Sequence, residues 1–138
     1  MAETMSCDIV TPVKTIYSDA ATLVRLPGEL GSFGVMQMHE PLVSALQPGV
    51  VSITPADAAK TGKVEYIVSG GYAQIDGERV IVLANDALDI SEIDVAKARE
   101  ELAKVEDIIA KLAADDSSAA YYKEQKAWFD LQLNTVKG

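Results

Sequence analysis

Between residues 5 and 84 the chain alternates short apolar runs with turn residues at close intervals. The predicted strands are Ser6–Val10, Thr15–Tyr17, Ala21–Leu26, Gly34–Met38, Val43–Ala45, Val50–Thr54, Lys63–Ser69, Tyr72–Ile75 and Arg79–Leu83. Val64, Tyr66 and Val68 alternate with polar Glu65 and Ser69, the period of two that marks a strand buried on one face. Asp76-Gly77, between Ile75 and Arg79, is a two-residue hairpin signal. Gly31, Gly34 and the Pro48-Gly49 pair mark tight corners, because glycine supplies positive φ and proline belongs at strand edges. Ser69-Gly70-Gly71 reads as a hairpin or bulge, and Pro55 to Gly62 as a loop at the rim. Many short strands at this spacing predict a sandwich or barrel.

After Leu88 the pattern changes. Ser91-x-x-Asp94 reads as a capping-box variant that opens a helix. Val95, Ala98, Leu102, Val105, Ile109 and Leu112 then form a narrow apolar seam at heptad period, suited to one partner helix. Asp115-Asp116-Ser117-Ser118 supplies a turn and an N-cap for a second helix, from about Ala119 to about Thr135. Tyr122, Phe129, Leu133 and Val136 make one stripe of that helix, interrupted by Lys126. Tyr121, Trp128 and Leu131 make a second, and two apolar faces imply two packing partners. The expected class is α+β, with a β-sandwich over residues 1–87 and an antiparallel helical hairpin over residues 88–138.

The chain's 138 residues and 49% hydrophobic content suffice for one cored domain with a small appendage. A net charge of −9 argues against binding a nucleic-acid backbone or an anionic lipid surface. It is spread along the chain, −5 over residues 1–87 and −4 over residues 88–138, so no acidic tail accounts for it. Cys7 is the single cysteine, which rules out an intrachain disulfide and fits a reducing compartment. Its place in an apolar alternation reads as a buried structural thiol. No apolar run approaches the ~18 residues of a membrane span, so direct insertion is not expected.

Catalytic chemistry finds little support. A lone histidine, His39, lacks the partners a metal site needs, and its neighbour Glu40 would point to the other face of a strand. A small hydrolase with His39 as base would want a second catalytic group. No nucleophile elbow, P-loop, HExxH or paired cysteines occur, and no cofactor is implied. Glu100 with Lys104 and Asp107 with Lys111 read as ordinary helix-surface pairs.

The order Gly31-x-x-Gly34, His39-Glu40-Pro41-Leu42, Leu46-Gln47-Pro48-Gly49 and Ser69-Gly70-Gly71-Tyr72 resembles the epsilon subunit of F-type ATP synthases. The resemblance covers nearly the whole chain, with Asn85-Asp86-Ala87 as the link between sandwich and helices. Departures are Gln37-Met38 before His39, where the family often has Pro-Gly, and Ser32, where many members carry an acid.

The resemblance implies a non-catalytic subunit of the rotating central stalk, peripheral at the cytoplasmic face of the bacterial plasma membrane. The sandwich would bind the gamma subunit and the membrane c-ring. The helical pair would be a regulatory arm, folded onto the sandwich or extended into the alpha/beta catalytic head to impede hydrolysis. The implied ring contact is Glu29, Leu30, Ser32, Phe33 and His39, with Met36 and Met38 as adaptable apolar candidates, although Phe33 fits the core equally well. Ile93-Asp94-Val95-Ala96-Lys97-Ala98 is similar to the nucleotide motif of some members, with Lys97 in place of Arg; Asp94 as a helix cap and Lys97 as a solvated charge is the plainer reading. In the arm, Tyr121, Tyr122, Trp128 and Phe129 either pack the hairpin or anchor it on a partner. The competing assignment is an unrelated β-sandwich binding module with a helical dimerisation hairpin.

Overall fold

The computed structural model describes residues 4–37, 40–57 and 62–137. It divides into two compact units, Met1–Asp89 and Ile90–Gly138.

The first unit is a β-sandwich with nine strands among the described residues: β1 Met5–Val10, β2 Thr15–Gly28, β3 Gly31–Val35, β4 Leu42–Leu46, β5 Gly49–Pro55, β6 Val64–Val68, β7 Gly71–Ile75, β8 Arg79–Ala84 and β9 Ala87–Asp89. One layer runs β1-β8-β7-β4, and the other is built from β3, β2, β5, β6 and β9. The long strand β2 joins them. Its first half pairs with β1, and its second half lies between β3 and β5. A bulge between Ala21 and Leu23 falls at the changeover, where an extra residue lets a strand bend. Expectation and structure differ here: Thr15–Tyr17 and Ala21–Leu26 are parts of one strand. Ser18, Asp19 and Ala20 continue the ladder with β1; Ser18 and Ala20 are exposed, while Asp19, opposite the buried Cys7, is half-buried.

Alternate residues of both layers meet in the core. Cys7, Ile9, Ala73, Ile75, Val80 and Val82 come from one, and Val24, Leu26, Val35, Val51, Ile53, Tyr66 and Val68 from the other. Each fully buried branched aliphatic side chain contributes about 1.5–3 kcal/mol relative to exposure.

Three layer-crossing corners nest at one end. Leu46–Gly49 carries the chain from β4 to β5, Val68–Gly71 from β6 to β7, and Ala84–Ala87 from β8 to β9. The Ser69 hydroxyl accepts the Asp86 N–H at 2.9 Å, and the Asn85 N–H donates to the Gly70 carbonyl at 3.3 Å. Ser69-Gly70-Gly71 is therefore a corner and not a hairpin or bulge, since β6 and β7 pair with different strands. Gly71 must be glycine, because a β-carbon would overlap the Leu83 carbonyl oxygen. The segment Asn85-Asp86-Ala87, expected as a link, ends in strand β9 paired with β6.

The second unit holds a 3-10 turn, Ile90–Glu92, and two helices, α1 Val95–Lys111 and α2 Ala119–Lys137. The helix begins later than the Ser91 capping box predicts. Asp94 is the N-cap, its carboxylate accepting the Lys97 N–H at 3.0 Å, while Ser91 lies in the 3-10 turn. The seam of α1 faces inward, with Ala98 and Val105 buried and Val95, Leu102, Ile109 and Leu112 half-buried. In the turn between helices the Asp116 carboxylate accepts the Ser118 N–H at 2.8 Å and its hydroxyl at 2.6 Å, which holds that carboxyl below its usual pKa.

Candidate functional site

Strands β2 and β3 form a hairpin whose two-residue tip is Glu29-Leu30. Gly31, at φ 129°, closes the turn in a conformation that side-chain-bearing residues resist. Gly34 is different: it lies within β3, opposite Arg25, and serves no corner. The strand expected over Gly34–Met38 thus sits earlier, over Gly31–Val35.

The tip is held against β4. The Glu29 N–H donates to the Ala45 carbonyl at 3.1 Å, and the Gln47 N–H to the Pro27 carbonyl at 2.9 Å. Leu30 stands wholly exposed at the end of this rigid support. Ser32 is exposed, and Phe33 is half-buried against the core. Met36 follows β3 and is 63% exposed. The structure thus gathers Glu29, Leu30, Ser32 and Phe33 at one hairpin with Met36 just beyond, while Met38 and His39 lie outside the described residues. A groove of about 630 Å³ runs between residues 28–33 of this hairpin and residues 42–45 of β4.

A second surface was not anticipated. Cross-strand pairing places Ala45, Tyr72, Leu83 and Val10 in one row, and Val43, Gln74, Ile81 and Asp8 in the next. Both rows face away from the core. Val43 is 67% exposed, Tyr72 59% and Leu83 48%, so this outward face of β4-β7-β8 is largely apolar. The signal was the unbroken run Val80-Ile81-Val82-Leu83, since a strand apolar on both faces is covered on both faces when its partners are present.

Asp94 and Lys97 are adjacent and exposed, but the contact between them is a helix cap. One Asp94 oxygen is occupied by a backbone N–H, and an Asp N-cap is worth about 1 kcal/mol in its own right. In α2, Tyr121 is exposed and meets Tyr122 edge-on at 5.1 Å between ring centres, while Trp128 and Phe129 are half-buried. Lys126 interrupts the stripe because it is ion-paired with Asp130 at 2.9 Å. That bond, and then the field of Asp130 and of Glu106 on α1, raises its pKa. The most buried residue of α2 among those described is Gln132, a polar side chain that the apolar periodicity passes over. Cys7 is fully buried, and desolvation, with a smaller effect from Asp8, pushes its thiol up to about 12. Among the described residues no group of three potential metal ligands comes together.

Residues 4–90 match the family described as ATP synthase, Delta/Epsilon chain, beta-sandwich domain. The ATP synthase epsilon chain of Rhodobacter capsulatus is 38% identical over 126 residues, covering 83% of this chain and 92% of that one. The Rhodospirillum rubrum epsilon chain is 33% identical, with both chains covered in full. Among solved structures, a chain of the Tetrahymena thermophila mitochondrial ATP synthase central stalk and c-ring shares the fold. It superposes with a TM-score of 0.64 at 15% identity, over 95% of each chain. A chain of the Euglena gracilis mitochondrial enzyme also reaches 0.64, at 20% identity, covering 94% of this chain and 75% of that one. With a sandwich matched across its whole length and a bacterial relative aligned end to end, the chain belongs to the F-type ATP synthase epsilon subunit family.

Proposed function

We propose that the protein is a rotor subunit of the central stalk, coupling proton-driven rotation of the c-ring to the catalytic head. The observation that carries this reading is the Glu29-Leu30 tip, a bare leucine on a hairpin fastened to the end of β4 by two backbone hydrogen bonds, which suits rigid contact with a moving partner. Leu30 and Met36 supply apolar contact with the ring, and Glu29 and Ser32 supply polar contact. His39 belongs to the same surface by family resemblance. The gamma subunit docks on the outward face of β4-β7-β8, where Val43, Tyr72 and Leu83 offer the apolar centre typical of a lasting interface. No helix among the described residues is long and apolar enough to cross a membrane. In this reading the ring holds the protein at the cytoplasmic face of the bacterial plasma membrane.

The unit from Ile90 onward is the regulatory arm, which slows hydrolysis when it engages the alpha/beta head. Tyr121, Tyr122, Trp128 and Phe129 are its anchors. Asp94 and Lys97 would be the nucleotide contacts of such an arm; the cap that occupies Asp94 favours weak binding or none. The test is reconstitution with gamma and c-ring membranes. Leu30→Asp should uncouple ATP hydrolysis from proton pumping while leaving gamma binding intact. Unchanged coupling in that variant would refute the ring contact.

A further inference from the structure

We propose that Gln125 and Gln132 form two weak layers in the seam between α1 and α2, which set its register and keep α2 readily separable from α1, a device whose regulatory use rests on the reading of this unit as the arm. Burial on α2 follows a line that hydrophobicity alone does not trace. Tyr122, Gln125, Phe129 and Gln132 recur at spacings of three, four and three, the rhythm of Val95, Ala98, Leu102, Val105, Ile109 and Leu112 on α1. Gln132, at 7% exposure, is more buried than its half-buried apolar neighbours Leu131 and Leu133, and Gln125 is half-buried.

The short turn between the helices decides which residues meet. Its midpoint is Asp115, halfway from Lys111 to Ala119, and in a packed antiparallel pair residues equally far from that midpoint face one another. Val105 and Gln125 are equidistant from Asp115, as are Ala98 and Gln132. Lys126 lies in the field of Glu106, in agreement with that register. Each glutamine therefore falls opposite one of the two buried residues of α1, Ala98 and Val105. Phe129 falls between them, opposite Leu102, so polar and aromatic layers alternate along the seam. A glutamine in such a layer gives up water around its amide and offers less apolar contact than a leucine of similar size. A polar residue in a helical seam fixes register at a cost in stability. With two of its layers polar, α2 is held chiefly by Tyr122 and Phe129, and it opens locally before the sandwich unfolds.

Hydrogen exchange of the full-length protein tests this. In the unaltered chain the α2 amides should exchange about tenfold or more faster than the core amides of β1 and β8. Gln132→Leu should slow the α2 amides about tenfold, because glutamine and leucine have nearly equal helix propensity and only the seam changes. Glu124→Leu, at an exposed position of the same helix, should leave them unchanged. Unchanged or faster exchange in Gln132→Leu overturns the proposal, as do α2 amides protected as strongly as those of β1 and β8. If Gln132→Leu does not fold, Gln125→Leu decides in its place by the same reading, and loss of folding in both overturns the proposal, since leucine should fit these layers. In the reconstituted enzyme, Gln132→Leu should also weaken inhibition of ATP hydrolysis, because α2 must leave a tighter seam to engage the head. Should the unaltered protein not inhibit at all, the regulatory reading falls, while slower exchange in Gln132→Leu still upholds the weak layers.

Discussion

Phe33 lies over Gly28 so closely that a β-carbon on Gly28 would come within 2.8 Å of both the ring Cε1 and the Gly31 carbonyl oxygen. The missing side chain at Gly28 is what allows Phe33 to fold back across the hairpin it belongs to. Phe33 thereby belongs both to the core margin and to the groove wall, the two roles its sequence position left open.

Gly28→Ala should therefore destabilise the sandwich by about 1–3 kcal/mol, the usual cost of overpacking a rigid site. Gly31→Ala meets no atom within 4 Å, so its cost comes only from φ 129°. Urea unfolding of the two variants separates the mechanisms. Repacking Phe33 to Leu should rescue Gly28→Ala only in part, because the Gly31 carbonyl oxygen stays in place, and should leave Gly31→Ala unimproved. An Ala at residue 28 without effect on stability would contradict the close packing described.

Cys7 should be inert to alkylation in the folded protein at neutral pH and react at the rate of unfolding, since its thiol is buried and neutral. The raised pKa also sets an alkaline limit. Below about pH 9 both folded and unfolded thiols are protonated, and Cys7 contributes no pH dependence. Between about 9 and about 12 the unfolded thiol ionises while the folded one does not, so stability falls as pH rises, by up to about 1.4 kcal/mol per pH unit. Cys7→Ala should give a shallower alkaline slope in denaturant titrations. An identical slope would show that the thiol is not protected as described.

The strands were legible where one face is buried and the other polar, as in β1, because burial imposes a period of two on composition; β6 departs from it at Ile67, which is fully buried between Tyr66 and Val68. Strand β9 was not legible. Its three residues are all half-buried, and their place is set by β6 and not by their own pattern. The break read into β2 at Ser18-Asp19-Ala20 failed for a related reason, since the polar pair Ser18-Asp19 resembles a turn although its backbone keeps the ladder with β1. In the arm, heptad spacing revealed the α1 seam, but Gln132 showed that a buried position can carry an amide. The Glu29-Leu30 hairpin was legible through its family motif. The Val43, Tyr72 and Leu83 face was signalled only by the unbroken apolar run of β8, because which residues share that face is set by cross-strand neighbours that no single segment displays.

ATP binding to the isolated protein should be weak or absent by calorimetry. Lys97 offers a single mobile charge where the family motif has a planar fork. Asp94 is also committed to capping α1 through the Lys97 N–H. Restoring Lys97→Arg should tighten binding about ten- to a hundred-fold by adding a bidentate charge-assisted contact. Asp94→Ala should remove the cap and lower the stability of the helical unit by about 1 kcal/mol. Tight binding of ATP by the unaltered chain would refute the expectation.

Inhibition of ATP hydrolysis by the arm as proposed, measured in the reconstituted enzyme, should depend little on salt. From Ser117 onward the chain carries three lysines, no arginine and two acids, a net charge of about +1. One of those lysines, Lys126, is already paired within its own helix to Asp130 at 2.9 Å and has little charge to offer a partner. The arm's exposed recognition groups are instead aromatic, with Tyr121 outward and braced edge-on by Tyr122, and Trp128 half-exposed about two turns further along. Screening acts on exposed charges and leaves apolar contact almost untouched. Trp128→Ala should therefore relieve inhibition more than Lys126→Ala. A steep loss of inhibition between low and moderate salt, with Trp128→Ala silent, would mean that charge and not aromatic contact drives the docking of this arm.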